Sequence, residues 1–355
     1  MFEKNQEVNK YMLISKIGSG FFSEENGVWL ARDKNLDKIV ALKILDTDNG
    51  KVSKDLEEAI IGNRLDHRNL LKVYSADIES IEGKDYLLIA QEYHKNGSII
   101  DRLNNLSFLP INDVLKYLID VLVGLERLHD NHIIHNDIKP SNILIGERNQ
   151  GILADYGISS IANKREIVEA KNCYILNSAP ETDSTNNINI LTDIYQVGMT
   201  GFRLLNGIGL YNYLINMIGF DAYIKNKSIG KIPNPKDYLG FIPFQMKKII
   251  NKATNIDSIK RYGSALTMRR DLEKCYFAGY WTCDESNNLI GIGTNYKYFF
   301  NEKLVQKGVF EFEAYQRNER SSITTRILKF CLRGALKDIR KIKKKFFLEI
   351  VNNAK

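Results

Sequence analysis

Cysteine is scarce in this chain, and long apolar runs and targeting signals are missing. The four cysteines, Cys173, Cys275, Cys283 and Cys331, form no CxxC pair and have no histidine cluster beside them. That argues against a structural zinc site and leaves buried reduced thiols as the plain reading. No apolar stretch approaches the roughly 20 residues that a helix needs to cross a bilayer. The opening segment MFEKNQEVNKYMLISKIG has no apolar core of signal-peptide length, and position 2 is Phe2, not the Gly that myristoylation requires. Internal repeats and low-complexity linkers are absent too. These absences lead us to expect a soluble, cytoplasmic protein.

What is present is material for a substantial core. Hydrophobic residues make up 44% of 355 positions, enough for two or three domains. The charge is uneven. Residues 276–355 hold 15 Lys+Arg against 8 Asp+Glu, which accounts for the whole formal net charge of +7. The first 275 residues are neutral by count, so the tail reads as a separate basic module.

From about residue 10 to 93 the pattern is strand-like. YMLISKIG, GVWLARD, KIVALKIL, LLKVYSADI and YLLIAQEY are short β-rich runs bounded by polar turns. KVSKDLEEAIIGNRL interrupts them with helical spacing, placing Leu56, Ile60 or Ile61, and Leu65 on one side. After Asn96 the character changes. INDVLKYLIDVLVGLERLHDNH predicts a strongly amphipathic helix with Val114, Leu118, Val121 or Leu122, Leu125 and Leu128 as its stripe. A loop-rich stretch from His135 to Glu181 follows, then mostly helical patterns to Cys275. A β-rich part followed by a helical part predicts a ligand cleft between them.

Three stretches carry chemistry. In IGSGFFSEENGVW, Gly18 and Gly20 follow a predicted strand and let backbone N–H groups approach phosphate oxygens, although such pairs also mark ordinary hairpins. In VALK, Lys43 can hold nucleotide phosphates if a carboxylate positions it, with Glu58 as the candidate and Glu57 as its neighbour; a solvated lysine and a solvated glutamate are the bland alternative. IIHNDIKPSNILI is the decisive stretch. Within it, Asp137 can orient a substrate hydroxyl and accept its proton, Lys139 can neutralise charge on a transferring phosphoryl group, and Asn142 can ligand Mg²⁺. Asp155, thirteen residues after Asn142, supplies a second metal ligand.

These stretches, taken in order with A-P-E at Ala179–Glu181, Asp193 in T-D-I-Y-Q-V-G and Arg261 in K-R-Y, resemble the eukaryotic-type (Hanks-type) serine/threonine protein kinases, and their bacterial members in particular. The resemblance runs from about Tyr11 to Cys275. It implies an α+β, bilobal protein-kinase fold with a β-rich N-lobe (1–95) and a helical C-lobe (96–275), followed by a small α+β C-terminal module (276–355). It implies ATP and Mg²⁺, and a protein substrate. By the family pattern Gly18, Ser19 and Gly20 cover the phosphates. Ile17, Val28, Ala41 and Leu144 sandwich the adenine, Gln91 is the gatekeeper, and Glu92 to His94 form the hinge. The same pattern has Asp193 bracing the catalytic loop, and Lys139 is the serine/threonine form of its position.

Four features depart from the pattern. Ser23 stands for the third glycine of the phosphate loop, with about three residues inserted before Val28. Asn136 replaces the arginine that ordinarily receives an activation-segment phosphate. The segment from Asp155 to Glu181 is short and has hydroxyls at Ser159, Ser160, Tyr174 and Ser178. Gly62 stands where the family has a bulky apolar residue. No catalytic group is lost. A nucleotide-binding pseudokinase acting as a scaffold through its tail is the alternative reading, and a small-molecule kinase is a further one.

Beyond Cys275 no family is recognisable. The sequence predicts two or three strands with turns at Asp284–Asn288 and Gly308. A single helix from Arg326 to Val351, about 37 Å long, is then expected. Its stripe is Leu328, Leu332, Ala335, Ile339, Ile342, Phe346 and Ile350. Arg326, Lys329, Arg333, Lys337, Lys341, Lys344 and Lys345 occupy much of the remaining surface. The helix is expected to pack on its own sheet with a solvated basic face. An acidic protein, a nucleic acid or an anionic surface is the sharper expectation for that face.

Overall fold

A computed structural model describes residues 2–17, 27–47, 52–105, 108–155, 160–161, 168–169, 175–207, 215–234 and 236–354; at 52–55, 57–58, 104–105, 160–161 and 168–169 it describes the backbone alone. In chain order, strands β1 (Glu7–Val8), β2 (Tyr11–Lys16), β3 (Gly27–Asp33) and β4 (Lys38–Asp46) precede helix α1 (Val52–Arg64). Strands β5 (Val73–Ile81) and β6 (Lys84–Glu92) follow, then helices α2 (Ile99–Asn105) and α3 (Ile111–Asp130). Short strands β7 (Ile133–Ile134), β8 (Ile143–Ile145), β9 (Gly151–Leu153), β10 (Ser160–Ile161) and β11 (Val168–Glu169) lead to α4 (Pro180–Thr185) and β12 (Asn187–Ile188). Helices α5 (Ile190–Asn206), α6 (Phe220–Ser228), α7 (Phe244–Ala253) and α8 (Ala265–Glu273) come next. The chain closes with β13 (Tyr280–Cys283), β14 (Leu289–Ile292), β15 (Tyr296–Gln306), β16 (Val309–Asn318), β17 (Thr324–Arg326), β18 (Leu332–Gly334) and α9 (Leu336–Asn353). No helix among the described residues is long and apolar enough to cross a membrane.

The chain forms two compact units, one of residues 1–99 and 120–193, the other of residues 100–119 and 194–355. The first unit is built on an antiparallel six-stranded sheet of order β1-β2-β3-β4-β6-β5. Its two faces follow from the period-2 alternation of side chains. Trp29, Ala31, Val40, Leu42, Ile44, Leu88 and Ala90 pack with Tyr11 and Leu13 on one face. Leu45, Val73, Leu87 and Ile89 pack with Ala59 of α1 on the other. In α1 the predicted stripe is corrected at one position. Ile61, of the two isoleucines offered, is buried, as is Leu65 just past the helix, but Leu56 is exposed, because Ala59 sets which side of the helix meets the sheet.

In α3 the predicted stripe is buried throughout, from Val114 to Leu128. Gly124 of this helix matters for its backbone: a Cβ there would stand 2.7 Å from the carbonyl oxygen of Asn69. The helix therefore lies against the 69–71 segment, which clamps β9. Asn69 Nδ2 donates to the Gly151 carbonyl at 2.8 Å, and the Leu153 N–H donates to the Asn69 carbonyl at 2.9 Å.

The second unit combines helices with the C-terminal residues. Its sheet has six strands in the order β13-β14-β15-β16-β17, with β18 also paired to β16. The turns at Asp284–Asn288 and Gly308 stand where the sequence places them, but the single long helix does not form. Thr324–Arg326 and Leu332–Gly334 pair as strands with β16, Leu328–Phe330 makes a 3₁₀ turn, and α9 begins only at Leu336. The buried side of α9 meets an aromatic cluster around Trp281, whose Nε1–H donates to the Phe347 carbonyl at 3.0 Å. Trp281 and Phe347 rings lie 4.6 Å apart, and Phe241, just before α7, lies 6.4 Å and 6.1 Å from them. The module thus shares one core with the α7 region, where the sequence reading packs it on its own sheet alone.

Candidate active site

The alternation that builds the first sheet also gathers the predicted nucleotide residues. Register pairs Val28 with Lys43 and Ala41 with Gln91, and opposed residues share a face. Val28, Ala41, Lys43 and Gln91 therefore lie on the face opposite Trp29 and Leu42. Ala41, Lys43 and Gln91 are buried there, while Val28 is half-buried. Ile17 is tied to Val28 by its N–H donating to the Val28 carbonyl at 2.7 Å. Leu144 is the half-buried middle residue of β8, between buried Ile143 and Ile145, and it bridges to Ser98. Glu92 ends β6 and His94 follows it, with His94 Nε2 3.5 Å from a Glu92 carboxylate oxygen. Gly18, Ser19 and Gly20 lie outside the described residues. Glu58 is on α1, and its side chain is also outside them.

Asp137 and Asn142 are brought together by a tight turn. Asp137 Oδ2 accepts from Lys139 Nζ at 2.5 Å and from Asn142 Nδ2 at 2.8 Å. Asn142 Nδ2 also donates to the Asp137 carbonyl at 3.0 Å, which turns its Oδ1 away from the loop backbone. The buried Asp137 Oδ1 has no hydrogen-bond partner among the described residues. A buried carboxylate oxygen left open costs stability unless a ligand uses it.

Asp155 reaches the same place through the β8–β9 hairpin. Ile143 pairs with Leu153, and the Ala154 N–H donates to the Asn142 carbonyl at 2.9 Å. The thirteen-residue spacing seen in the sequence is thus the length of a hairpin whose open end carries both Asn142 and Asp155. Asp155, half-exposed with φ of 67°, has a carboxylate oxygen 3.8 Å from Lys43 Nζ. The sequence offers Glu58 as the carboxylate for Lys43, and that side chain lies outside the described residues; among those described, Asp155 stands beside Lys43 as well.

Beneath the loop sits Asp193, fully buried. It accepts from the backbone N–H groups of His135 (3.0 Å) and Asn136 (2.8 Å), and its Oδ2 is 2.9 Å from His129 Nε2. Asn136, which stands where the family has arginine, is buried with φ of 64°. Its backbone is a strut of the loop, and the αL conformation suits asparagine better than most residues. His129 was not singled out from the sequence. Neither was Asn177, whose Nδ2 donates to the Ile138 carbonyl at 2.8 Å. Both are polar residues in ordinary-looking contexts, and only the fold brings them to the loop.

His135 is the titratable keystone. Its Nδ1 accepts the Asp137 N–H at 3.2 Å, so the ring proton is on Nε2, which donates to the Ala154 carbonyl at 3.1 Å. The imidazole is therefore neutral, and burial pushes its pKa below the ordinary 6.5. The unfolded chain takes up this proton near pH 6.5, while the folded chain resists it to lower pH. Stability is then fully present above pH 6.5 and declines as pH falls below it. A series of thermal melts checks this. The midpoint of the native chain should drop more steeply between neutral and acidic pH than that of His135→Asn. Equal slopes would mean that this histidine does not couple folding to protons.

The donor chemistry fits Mg²⁺. Asn142 and Asp155 offer hard oxygens, and Mg²⁺ held together with nucleotide phosphates needs only one or two protein ligands. Among the described residues no group of three or more His, Cys, Asp or Glu could hold a metal alone. That pattern suits a metal completed by a nucleotide better than a stand-alone metal centre.

A sheet face carrying a buried lysine, a loop with one open carboxylate oxygen and a hairpin end carrying Asn142 and Asp155 are parts that a phosphoryl-transfer site requires. The protein kinase domain family matches residues 11–274, and the chain belongs to that family. It is 28% identical over 282 residues to serine/threonine-protein kinase PrkC of Bacillus subtilis, covering 76% of this chain and 41% of PrkC. With serine/threonine-protein kinase PknL of Mycobacterium tuberculosis it shares 29% over 279 residues, 75% of this chain and 65% of PknL. Myosin light chain kinase family member 4 of Homo sapiens is 28% identical over 212 residues, 58% of this chain and 53% of that protein. The chain thus spans less than two thirds of the length of each of these relatives.

Proposed function

We propose that the chain transfers the γ-phosphoryl group of ATP to serine or threonine hydroxyls of proteins, itself included. The observation that carries this reading is the division of labour on Asp137: Lys139 and Asn142 occupy Oδ2, and Oδ1 stays open. In this reading Oδ1 accepts the substrate hydroxyl proton as the oxygen attacks phosphorus. Lys139, already beside Asp137, neutralises the charge that gathers on the transferring group. Lys43 binds phosphate oxygens, with Glu58 holding it in place. Asn142 and Asp155 hold Mg²⁺, which when bound supplies charge neutralisation on the β- and γ-phosphates. Ile17, Val28, Ala41 and Leu144 enclose the base, Gln91 closes its inner edge, Glu92 to His94 bind it by backbone, and Gly18, Ser19 and Gly20 cover the phosphates.

The domain boundaries that go with this reading are 1–95, 96–275 and 276–355, and the expected location is the cytoplasm. The basic face of the C-terminal module serves a negatively charged partner. Asn136 in place of arginine argues against activation by a phosphate on the segment after Asp155. Ser178 fits that view: it is fully buried, and its one hydroxyl proton is shared between the Ile175 carbonyl and Asp183, both within hydrogen-bond distance.

Hydroxyl specificity has its own test. After incubation with labelled ATP and a basic carrier protein, acid hydrolysis should release labelled phosphoserine or phosphothreonine. Label found only on phosphotyrosine would overturn the reading of Lys139.

A further inference from the structure

The positive charge of the C-terminal module is partitioned by pairing. Lys297, Lys303, Arg326, Lys329 and Lys343 pair with Glu319, Glu311, Glu313, Glu349 and Glu302 at 2.6–2.9 Å. What remains is concentrated on α9. Lys337, Arg340, Lys341, Lys344 and Lys345 are all exposed and make no ion pair among the described residues. They span about 12 Å of helix at 1.5 Å per residue. Asp338 is the one acidic residue interspersed with them. Ile339, Phe346, Phe347, Ile350 and Val351 are buried on the other side, so the cationic face is held outward and cannot turn away.

A second element joins this face. Phe241 and Phe347 are 6.1 Å apart, which brings the start of α7 beside α9. There Lys247 lies half-buried over the Tyr238 ring at 5.3 Å, and burial together with the neighbouring Lys344 lowers its pKa. Phe244, three residues earlier and so on the same side of α7, is 80% exposed. Folding explains neither feature: crowded like charges repel, and a bare phenyl ring gains nothing from water.

We propose that this face docks the protein on an anionic lipid bilayer, with the lysines among the headgroups and Phe244 at the headgroup–acyl boundary. The inference rests on the reading of the module as a surface for a negative partner, and it names that partner. Five of the six cations are lysines (Lys337, Lys341, Lys344, Lys345 and Lys247), with Arg340 the exception. Lysine is a point charge suited to a diffuse field of headgroups, whereas bidentate phosphate and base recognition favours arginine. An exposed aromatic beside a polybasic helix adds an apolar signal to the electrostatic one, and stable membrane attachment takes two signals.

Sedimentation of the full chain with vesicles tests this. It should bind vesicles of phosphatidylcholine mixed with phosphatidylglycerol, release them as salt rises, and ignore phosphatidylcholine alone. Lys341→Ala/Lys344→Ala/Lys345→Ala should lower partitioning about 100-fold, at roughly fivefold per surface charge. Phe244→Ser should lower it about tenfold or more. All four positions are exposed or on the helix surface, so both variants should keep the native thermal midpoint and full phosphorylation of a soluble peptide. No binding to the anionic vesicles, equal binding to the neutral ones, or unchanged binding by either variant would overturn the proposal. If duplex DNA or single-stranded RNA binds in a charge-dependent way and the vesicles do not, the lipid assignment fails while the negative-partner reading survives. If none of these binds, both fail.

Discussion

Replacing Asp137 with asparagine should lower phosphoryl transfer by two to four orders of magnitude, roughly the contribution of a positioned general base. The substitution keeps shape and volume. The asparagine oxygen can still accept from Lys139 and Asn142, as Oδ2 of Asp137 does now. Its amide nitrogen then takes the place of Oδ1 and presents a donor where the substrate hydroxyl needs an acceptor. The negative charge beside Lys139 is lost as well. Nucleotide affinity and thermal midpoint should change little, because the backbone of this loop is held by Asp193 and His135. A steady-state comparison of turnover with melting curves checks the prediction. A variant that retains most of its turnover would remove Asp137 from the role of base.

Trp281→Ala should destabilise the second unit by about 3–5 kcal/mol, the usual cost of truncating a large buried aromatic. Trp281 is 1% exposed and its ring contacts Phe300, Phe346 and Phe347. Its loss opens a cavity and removes the indole donor that the Phe347 carbonyl accepts from. Trp281→Phe should recover part of the loss, because it keeps the aromatic contacts but not the indole N–H. Chemical denaturation followed by far-ultraviolet circular dichroism measures both. A loss below about 1 kcal/mol, the scale of a surface change, would mean that the module is not part of this core. Removal of residues 276–355 should likewise expose Phe241 and impair folding, so charge-altering variants are the better probe of what the module binds.

Much of the fold was legible because its signals are local. The strands of the first sheet and the stripe of α3 follow from periods of 2 and 3.6 that a short window reveals. The candidate site was legible for a similar reason. Asp137, Lys139 and Asn142 lie in one turn, and Asp155 lies at the far side of one hairpin.

The sequence failed where long-range pairing outweighs local pattern. Leu328 and Leu332 are four residues apart and imitate a helical stripe, yet Leu332 pairs with Phe312 and Arg333 with Glu311 across the sheet. Nothing in the local pattern marks that pairing. The ion pairs of the module were hidden for the same reason. Net charge counts Lys343 and Glu302, but only the fold places them 2.6 Å apart. Leu56 was misassigned, and the choice between Ile60 and Ile61 left open, because helical spacing permits several faces, and packing against Leu45, Val73, Leu87 and Ile89 through Ala59 selects one.

The most direct test of the central claim separates nucleotide binding from transfer. The purified chain is given ATP labelled in the γ-phosphate, with Mg²⁺, alone and with a basic carrier protein. Bound nucleotide and protein-attached label are measured in the same samples. The account expects label on the chain or on the carrier, abolished by Asp155→Ala and reduced at least about 100-fold by Asp137→Asn. Stoichiometric Mg²⁺-ATP binding with no label transferred to either protein would contradict it, and would make the chain a nucleotide-gated scaffold.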